Sequence, residues 1–438
     1  MLLVAAVCAG GQGDSDETLA RLRKMVLDQA ERIPNYTCVQ TIDRQFFHPG
    51  VNGPHGVVYK FPSPGQSCSQ IAAGKRKNYS RLIPIRNDRF RLDVRVGAGT
   101  EMYSWVGASR FGDRPLRELV GFGPTSTGAF GPMLTNIVAD APDVRFGGEK
   151  AVSGRRLYAY SFRVPIERSH HSFEVLGGSH TAIAYEGTIL ADPATGAPVQ
   201  LTVLAGELPT ETGCCGYSAE LDYSPVRIGA AEFLLPKTAR QRFAMPDGRE
   251  VENTVTFSAC REYLAESAVA YQGMPTPAPA ASGNAAPPPV DIPAGLPVAI
   301  ALTGGISSDV AAAGDPFTGR LAKPLVDPLE HAIAPGGATV HGRIASLVRS
   351  LSPERVTIHL TMETVEIGGR EVPFRLTGRR DRVVVVTGPP AGGLQSRGVA
   401  IGEMPRGPSA DYVELQHSGT RWVIPDGFLT NWVTAGPP

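Results

Sequence analysis

The sequence predicts a mainly antiparallel β protein of two domains, the first entered through a helix. Three observations carry this. A chain of 438 residues exceeds what one hydrophobic core usually serves, and a 42% hydrophobic content suffices for a core in each of two domains. Glycine (50) and proline (38) punctuate short apolar runs, as expected of a chain that reverses often. Several runs alternate with the period of a strand, and in 89–96 the residues Phe90, Leu92, Val94 and Val96 fall on one face.

Residues 1–13 read as a signal-like segment, apolar with small residues near a plausible cut but without a basic start. Cys8 follows Val4-Ala5-Ala6-Val7 and is a lipidation candidate. Residues 14–33 read as an amphipathic helix. Asp14 and Glu17 are spaced as a capping box, Leu19, Leu22, Val26, Ala30 and Ile33 form its apolar stripe, and Pro34 ends it.

Strands follow from Tyr36 to about Tyr263. Pro246-Asp247-Gly248 marks a hairpin, Asp192-Pro193-Ala194-Thr195-Gly196-Ala197-Pro198 a turn, and 132–139 a short helix. The first domain is placed at 14–271. A Pro/Ala-rich spacer, extended and without apolar periodicity, occupies 272–295. The second domain, 296–438, alternates in 355–363 and turns at Gly368-Gly369, which points to a small antiparallel barrel or sandwich.

The 42 basic and 42 acidic residues cancel, and no basic stripe with interleaved aromatics exists, so nucleic acid is not an expected partner. No apolar run reaches about 18 residues, so no transmembrane helix is expected. Besides Cys8, the cysteines Cys38, Cys68, Cys214, Cys215 and Cys260 are disulfide candidates of open connectivity, with one left over. The vicinal pair Cys214-Cys215 lacks the two further ligands a zinc site needs and reads as a strained or swapped disulfide region in a loop.

Catalytic patterns fail one by one. The loop 121–128 has the glycines of a phosphate cradle but no following Lys, and Ser126 lacks a nucleophile elbow. His170, His171 and His180, like His48 and His55, sit among Ser, Gly and Pro without metal-ligand spacing and read as solvated loop residues. Asp192 and Asp222 are explained by a turn and a strand edge. No metal, cofactor or catalytic residue is called. The aromatic residues Tyr103, Trp105, Tyr158, Tyr160, Phe162 and Tyr185 are core or, in a hollow sheet, ligand-cavity candidates.

Two resemblances add to this. The order of helix, immediate strand and long meander, with the phrase Gly187-Thr188-Ile189-Leu190-Ala191-Asp192-Pro193-Ala194-Thr195-Gly196-Ala197-Pro198-Val199, resembles the LolA/LolB-like lipoprotein-carrier superfamily over about half of the chain. It implies a curved antiparallel half-barrel with helices on its concave face, holding acyl chains or other apolar ligands. The loop 213–216, with its paired cysteines, departs from that pattern. The runs Val298-Ala299-Ile300-Ala301-Leu302, Ile306-Ser307-Ser308, Gly314-Asp315-Pro316-Phe317, Ile333-Ala334-Pro335-Gly336-Gly337-Ala338 and Val340-His341-Gly342-Arg343-Ile344 resemble the β-barrel of TrbI-like secretion and conjugation components. That implies a barrel used for envelope protein contacts, without transferring the function.

The combined expectation is a non-catalytic bacterial envelope protein, periplasmic or outer-membrane-associated. Its first domain binds an apolar ligand or a lipidated protein, and its second contacts another envelope component. The alternatives are a structural or assembly protein without a small ligand, and an envelope hydrolase.

Overall fold

The computed structural model describes residues 10–53, 56–59, 68–72, 81–97, 100–108, 111, 116–120, 123–125, 132–175, 179–206, 208–263, 290, 292–378, 383–385, 400–402, 411–419 and 421–435. Cys8, His55, Ser126 and most of the expected spacer lie outside them. The chain divides into two compact units, Met1–Tyr263 with Ser350–Ser352, and Leu264–Arg349 with Pro353–Pro438.

In the first unit, α1 (Gly10–Arg32) leads into β1 (Tyr36–Gly53) and β2 (Gly56–Tyr59). Then come α2 (Cys68–Ala72), β3 (Arg81–Gly97), β4 (Thr100–Trp105), α3 (Leu116–Val120) and α4 (Met133–Asp140). The strands β5 (Asp143–Val152), β6 (Arg155–Val164), β7 (Ser172–Glu174), β8 (His180–Ala182) and β9 (Tyr185–Ala191) follow. The unit ends with β10 (Pro198–Gly206), β11 (Gly216–Ile228), β12 (Ala231–Ala244) and β13 (Glu250–Glu262).

The chain lays β1, β3 and β4 side by side, then crosses to the far edge at β5 and works back to β1. The antiparallel order is β4-β3-β1-β13-β12-β11-β10-β9-β6-β5. The first and last strands of the unit are therefore central neighbours, and the sheet is held by its longest-range pairing.

One face of this sheet is the core. On β1 it carries Tyr36, Cys38, Gln40, Ile42, Arg44 and Phe46, all buried. On β3 the buried Phe90, Leu92, Val94 and Val96 continue it, as alternation predicts. The hairpin at Gly248 forms as expected, with Gly248 at φ +79° and its N–H donating to Met245 O at 2.9 Å.

Two details of α1 differ from the sequence reading. The helix is already running at Gly10, so Asp14 is an interior residue whose carbonyl accepts from Thr18 Oγ1 (2.8 Å), and the expected capping box does not form. The buried stripe is Ser15, Thr18, Leu22 and Val26, while Ala30 is exposed. The contact face lies a little to one side of the apolar stripe, because it contains two hydroxyl residues, Ser15 and Thr18, bonded to Tyr160 and to the turn at Pro193.

The second unit contains β14 (Pro297–Thr303), β15 (Ile306–Ser307), β16 (Pro316–Leu321), β17 (Leu325–Val326), β18 (Ala332–Ala334), β19 (Thr339–Leu351) and β20 (Glu354–Ile367). It continues through β21 (Arg370–Pro373), β22 (Leu376–Gly378), β23 (Val383–Val385), β24 (Ala400–Gly402), β25 (Val413–Ser418), β26 (Val423–Ile424) and β27 (Leu429–Thr434). Pairings run β22-β27-β14-β16-β19-β20, and β20 pairs onward with β21 and β25. The strand β23 pairs with β25 in parallel.

Gly368 and Gly369 turn β20 into β21 at φ +57° and +75°, which only glycine adopts without strain. Ile300, Val340, Leu360, Phe374 and Trp432 form the core. Residues 292–295, expected in the spacer, belong to this unit. Ile292 packs on the core, Thr434 Oγ1 donates to Pro293 O (2.6 Å), and Gly295 N donates to Thr434 O (2.8 Å).

Candidate functional site

Besides its buried Leu22 and Val26, the helix α1 is held on the sheet by polar contacts to backbone. The Tyr160 hydroxyl donates to Ser15 O at 2.8 Å. Arg21 Nη2 donates to Pro193 O at 3.0 Å, and Thr18 Oγ1, its one proton shared between Asp14 O and Pro193 O, lies 3.0 Å from the same oxygen. At the other end, Gln29 pairs with a strand residue as another strand would: Nε2 donates to Leu234 O (2.8 Å) and Oε1 accepts from Leu234 N (2.7 Å).

The Asp-Pro-Ala-Thr-Gly turn is the helix's seat. Asp192 Oδ1 accepts from Ala194 N, Thr195 N and Thr195 Oγ1 at 3.0–3.1 Å, which closes the turn. Burial raises the Asp192 carboxyl, but the bonds from Thr195, Ala194 and Arg155 outweigh it and bring it below the usual range. Gly196 sits at φ +76°, and a Cβ there would lie 2.8 Å from Arg21 Cβ and 2.9 Å from Leu22 N. Gly196→Ala is therefore expected to cost on the order of 2 kcal/mol, from left-handed strain and from pushing α1 off its seat. Urea denaturation followed by far-UV circular dichroism checks it, and an unchanged midpoint would show that the turn does not carry the helix.

A cavity of about 30 Å³, room for one or two waters, lies between helix and sheet. Met25, Val26 and Gln29 of α1, Leu134 and Thr135 of α4, and Pro198, Tyr223, Leu234, Leu235 and Pro236 of the sheet line it. Burial pushes the Tyr223 phenol well above its ordinary value, so it stays a neutral donor.

None of the six aromatic cavity candidates lines this space. Tyr103, Tyr158, Tyr160, Phe162 and Tyr185 are buried and Trp105 is half-buried. Tyr103 donates to Glu101, Tyr158 and Tyr160 meet Phe146 at 5.1 and 5.8 Å, and Phe162 meets Tyr185 edge-on at 6.3 Å. The cavity is lined instead by aliphatic, proline, threonine and amide side chains and by one aromatic outside those six, Tyr223.

Cys38 is bonded to Cys260 across β1 and β13, and Cys68 of α2 to Cys215. Cys214 is free and buried, a correction to its place among the disulfide candidates. Cys215 is taken up by Cys68, while Cys214 Sγ turns to Met245 Sδ at 3.8 Å. Burial pushes the Cys214 thiol up to about 11, so it is not a thiolate at neutral pH and is a poor nucleophile toward the neighbouring disulfide.

The described histidines do not converge. His170 Nδ1 lies 2.8 Å from both Asp140 oxygens, and His180 Nδ1 is 3.5 Å from Ser172 Oγ on an exposed hairpin. Among the described residues no group of three His, Cys, Asp or Glu side chains is placed to hold a metal ion. His171 is not a solvated loop residue as expected. Its ring packs against Tyr185 (5.6 Å), Tyr217 (5.7 Å) and Phe173 (6.3 Å).

Burial lowers the His171 imidazole to about 4. The folded state thus favours neutral His171, a contribution present above the unfolded value of about 6.5 and lost as the pH falls toward 4. Stability is expected to drop by on the order of 2 kcal/mol across that window. His171→Leu should flatten this part of a pH series of denaturation midpoints, and an unchanged slope would sink the assignment.

A polar row crosses the otherwise apolar core face. Register places Asp88, Arg44, Asn253 and Gln241 side by side on β3, β1, β13 and β12, and all four are buried. Arg44, 1% exposed, donates from Nε and Nη2 to Asp88 at 2.9 and 3.0 Å, and from Nη2 to Val120 O at 3.3 Å. Arg86 Nη2 donates to the same carboxylate at 3.1 Å. The Arg44 guanidinium stands 5.1 Å from the Phe46 ring and 4.8 Å from the Phe90 ring, and Arg86 is 4.7 Å from Phe46. Asn253 Nδ2 donates to Pro124 O at 3.1 Å. Gly123 lies against this group, where a Cβ would come within 2.8 Å of Arg44 Nη1.

No family model matches this chain, and no curated protein does. Among solved structures, similar chains include a LolA superfamily protein from Nitrosomonas europaea, at 6% identity and a TM-score of 0.25, covering 57% of this chain and 94% of that one. A DUF1329 family protein from Desulfovibrio piger matches at 9% identity and a TM-score of 0.25, over 57% and 95% of the two chains. The complex of MucA and MucB from Pseudomonas aeruginosa matches at 12% identity and a TM-score of 0.16, over 57% and 100%.

Proposed function

We propose that the protein is a non-catalytic binding protein of the bacterial envelope whose first unit takes an apolar chain between α1, α4 and the sheet. The observation that carries this is how α1 is attached. Leu22 and Val26 are its buried apolar anchors, and the remaining holds named above are hydrogen bonds to backbone carbonyls and one amide. Such bonds contribute about 1 kcal/mol each net, and water can replace them. A helix so held can yield its place to an apolar ligand, and the cavity marks where the two surfaces already part. Two disulfides fit an oxidising compartment. In this reading the second unit contacts another envelope component, and the exposed Val310, Leu329 and Leu429 are its apolar surface points.

The rival is an assembly protein whose sheet face is filled by its own side chains, and the small size of the cavity favours it. Native mass spectrometry before and after lipid extraction separates the two. The binding reading expects a co-purifying mass that extraction removes, and expects Thr135→Trp, which fills the cleft, to lower its occupancy. A chain that never carries such a mass and takes up no fluorescent acyl probe would leave the assembly reading.

A further inference from the structure

Among the described residues, the polar row across the core face has a charge that does not balance. Arg44 and Arg86 bring two positive charges to Asp88, which brings one negative, and the pair Arg44–Asp88 is shut away from water, the side chains 1% and 2% exposed. Two donors are left over. Arg44 Nη1 and Arg86 Nε are buried and have no hydrogen-bond partner among the described residues. Asn253, paired in register with Arg44, leaves Oδ1 unpartnered in the same way.

The surplus cation is Arg86, whose side chain is 33% exposed, and a carboxylate or phosphate oxygen that reached it and the spare buried N–H groups would neutralise it. The amide oxygen of Asn253 would accept from a hydroxyl beside that anion. We propose that Arg44, Arg86 and Asn253, with Asp88 holding Arg44 in place, receive one oxyanion headgroup, and that this headgroup belongs to the apolar ligand of the first unit. The identity of the ligand as an amphiphile rests on the apolar-chain reading above; the oxyanion site does not.

The spacing suits an amphiphile. Gln241 of the polar row and Leu235 of the cleft lie six positions apart on β12, about 20 Å along an extended strand, the scale of a long acyl chain. The face between them is apolar, with Ile42, Leu221, Ala239 and Val255 buried along it.

The test uses the full chain after lipid extraction, with hexadecanoate, hexadecyl phosphate, hexadecanol and inorganic phosphate as probes. Arg86→Gln is the variant, because Arg44 still neutralises Asp88 and the core pair survives. The two acids are expected to bind about tenfold or more tighter than the alcohol, and Arg86→Gln to bring them within about threefold of it. If acids and alcohol bind alike in both proteins, the headgroup site is refuted while the apolar-chain reading stands. If none of the three amphiphiles binds, that reading falls, and inorganic phosphate decides the site alone. Phosphate that raises the unfolding temperature of the native protein but not of Arg86→Gln keeps an oxyanion site with free phosphate as its ligand, and phosphate without effect removes it.

Discussion

Replacing Cys38 and Cys260 together with alanine is expected to lower the stability of the first unit by about 4 kcal/mol. The bond joins residues 222 apart, but the second disulfide, Cys68–Cys215, already shortcuts 147 of them. With that inner bond intact, the chain left for Cys38–Cys260 to close comprises the spans 38–68 and 215–260, about 75 residues. The chain-entropy estimate for a loop of that size is about 4 kcal/mol. The location adds a structural reason. Cys38 lies where the register of β1 and β13 slips, between Thr37 and Val39, beside Ala259 at φ +48°. The bulge is the weak point of the central pairing that joins the two ends of the unit, and the disulfide spans it. Urea denaturation of the double variant beside the native protein, each with and without reductant, gives the measurement. A variant as stable as the oxidised native protein would mean that this bond does not form in the folded chain.

The fold was legible where one residue type does one thing. Alternation found β3 and β20, Gly368-Gly369 and Pro246-Asp247-Gly248 found their hairpins, and the small helix near 132–139 was found within one residue. The strand order was not legible, because nothing local in the sequence says that β1 and β13 are neighbours. Of the aromatic cavity candidates, Tyr160 bonds to α1 and Phe162 packs on Tyr185, while the cleft is lined mostly by aliphatic and proline side chains, with Tyr223 its one aromatic.

The polar row has a signal in the sequence. Arg44 stands in phase with Ile42 and Phe46, and Asp88 in phase with Phe90 and Leu92, so alternation alone puts both charges on the core side. A charged residue in step with the apolar face of a strand is rare unless it is paired. Reading the two strands together would have joined them. The turn at Asp192–Pro198, legible as a turn and as part of the lipoprotein-carrier resemblance, is also the seat of α1, a role that depends on Pro193 O and the bare Cα of Gly196.

Asp88→Asn is expected to cost about 3–5 kcal/mol, because it leaves the Arg44 guanidinium buried without its counter-charge. The half-exposed Arg86 can turn toward water, but Arg44, held between Phe46 and Phe90, cannot. The double change Arg44→Met with Asp88→Val should recover most of that loss. It removes the desolvation cost of both ions and fills the space with apolar atoms, while the Val120 carbonyl and the water-accessible Arg86 each lose one hydrogen bond, about 1 kcal/mol apiece. Thermal and urea unfolding of the native, single and double forms measure the three levels. Near-native stability in the double form would mean that an apolar pair serves folding as well as the charged pair does. The charges would then be retained for something other than stability, and the leftover donors on Arg44 and Arg86 say what: an anion that reaches the core face with its ligand. A double form as unstable as Asp88→Asn would instead make the pair part of the fold, and the buried charge would need no ligand to explain it.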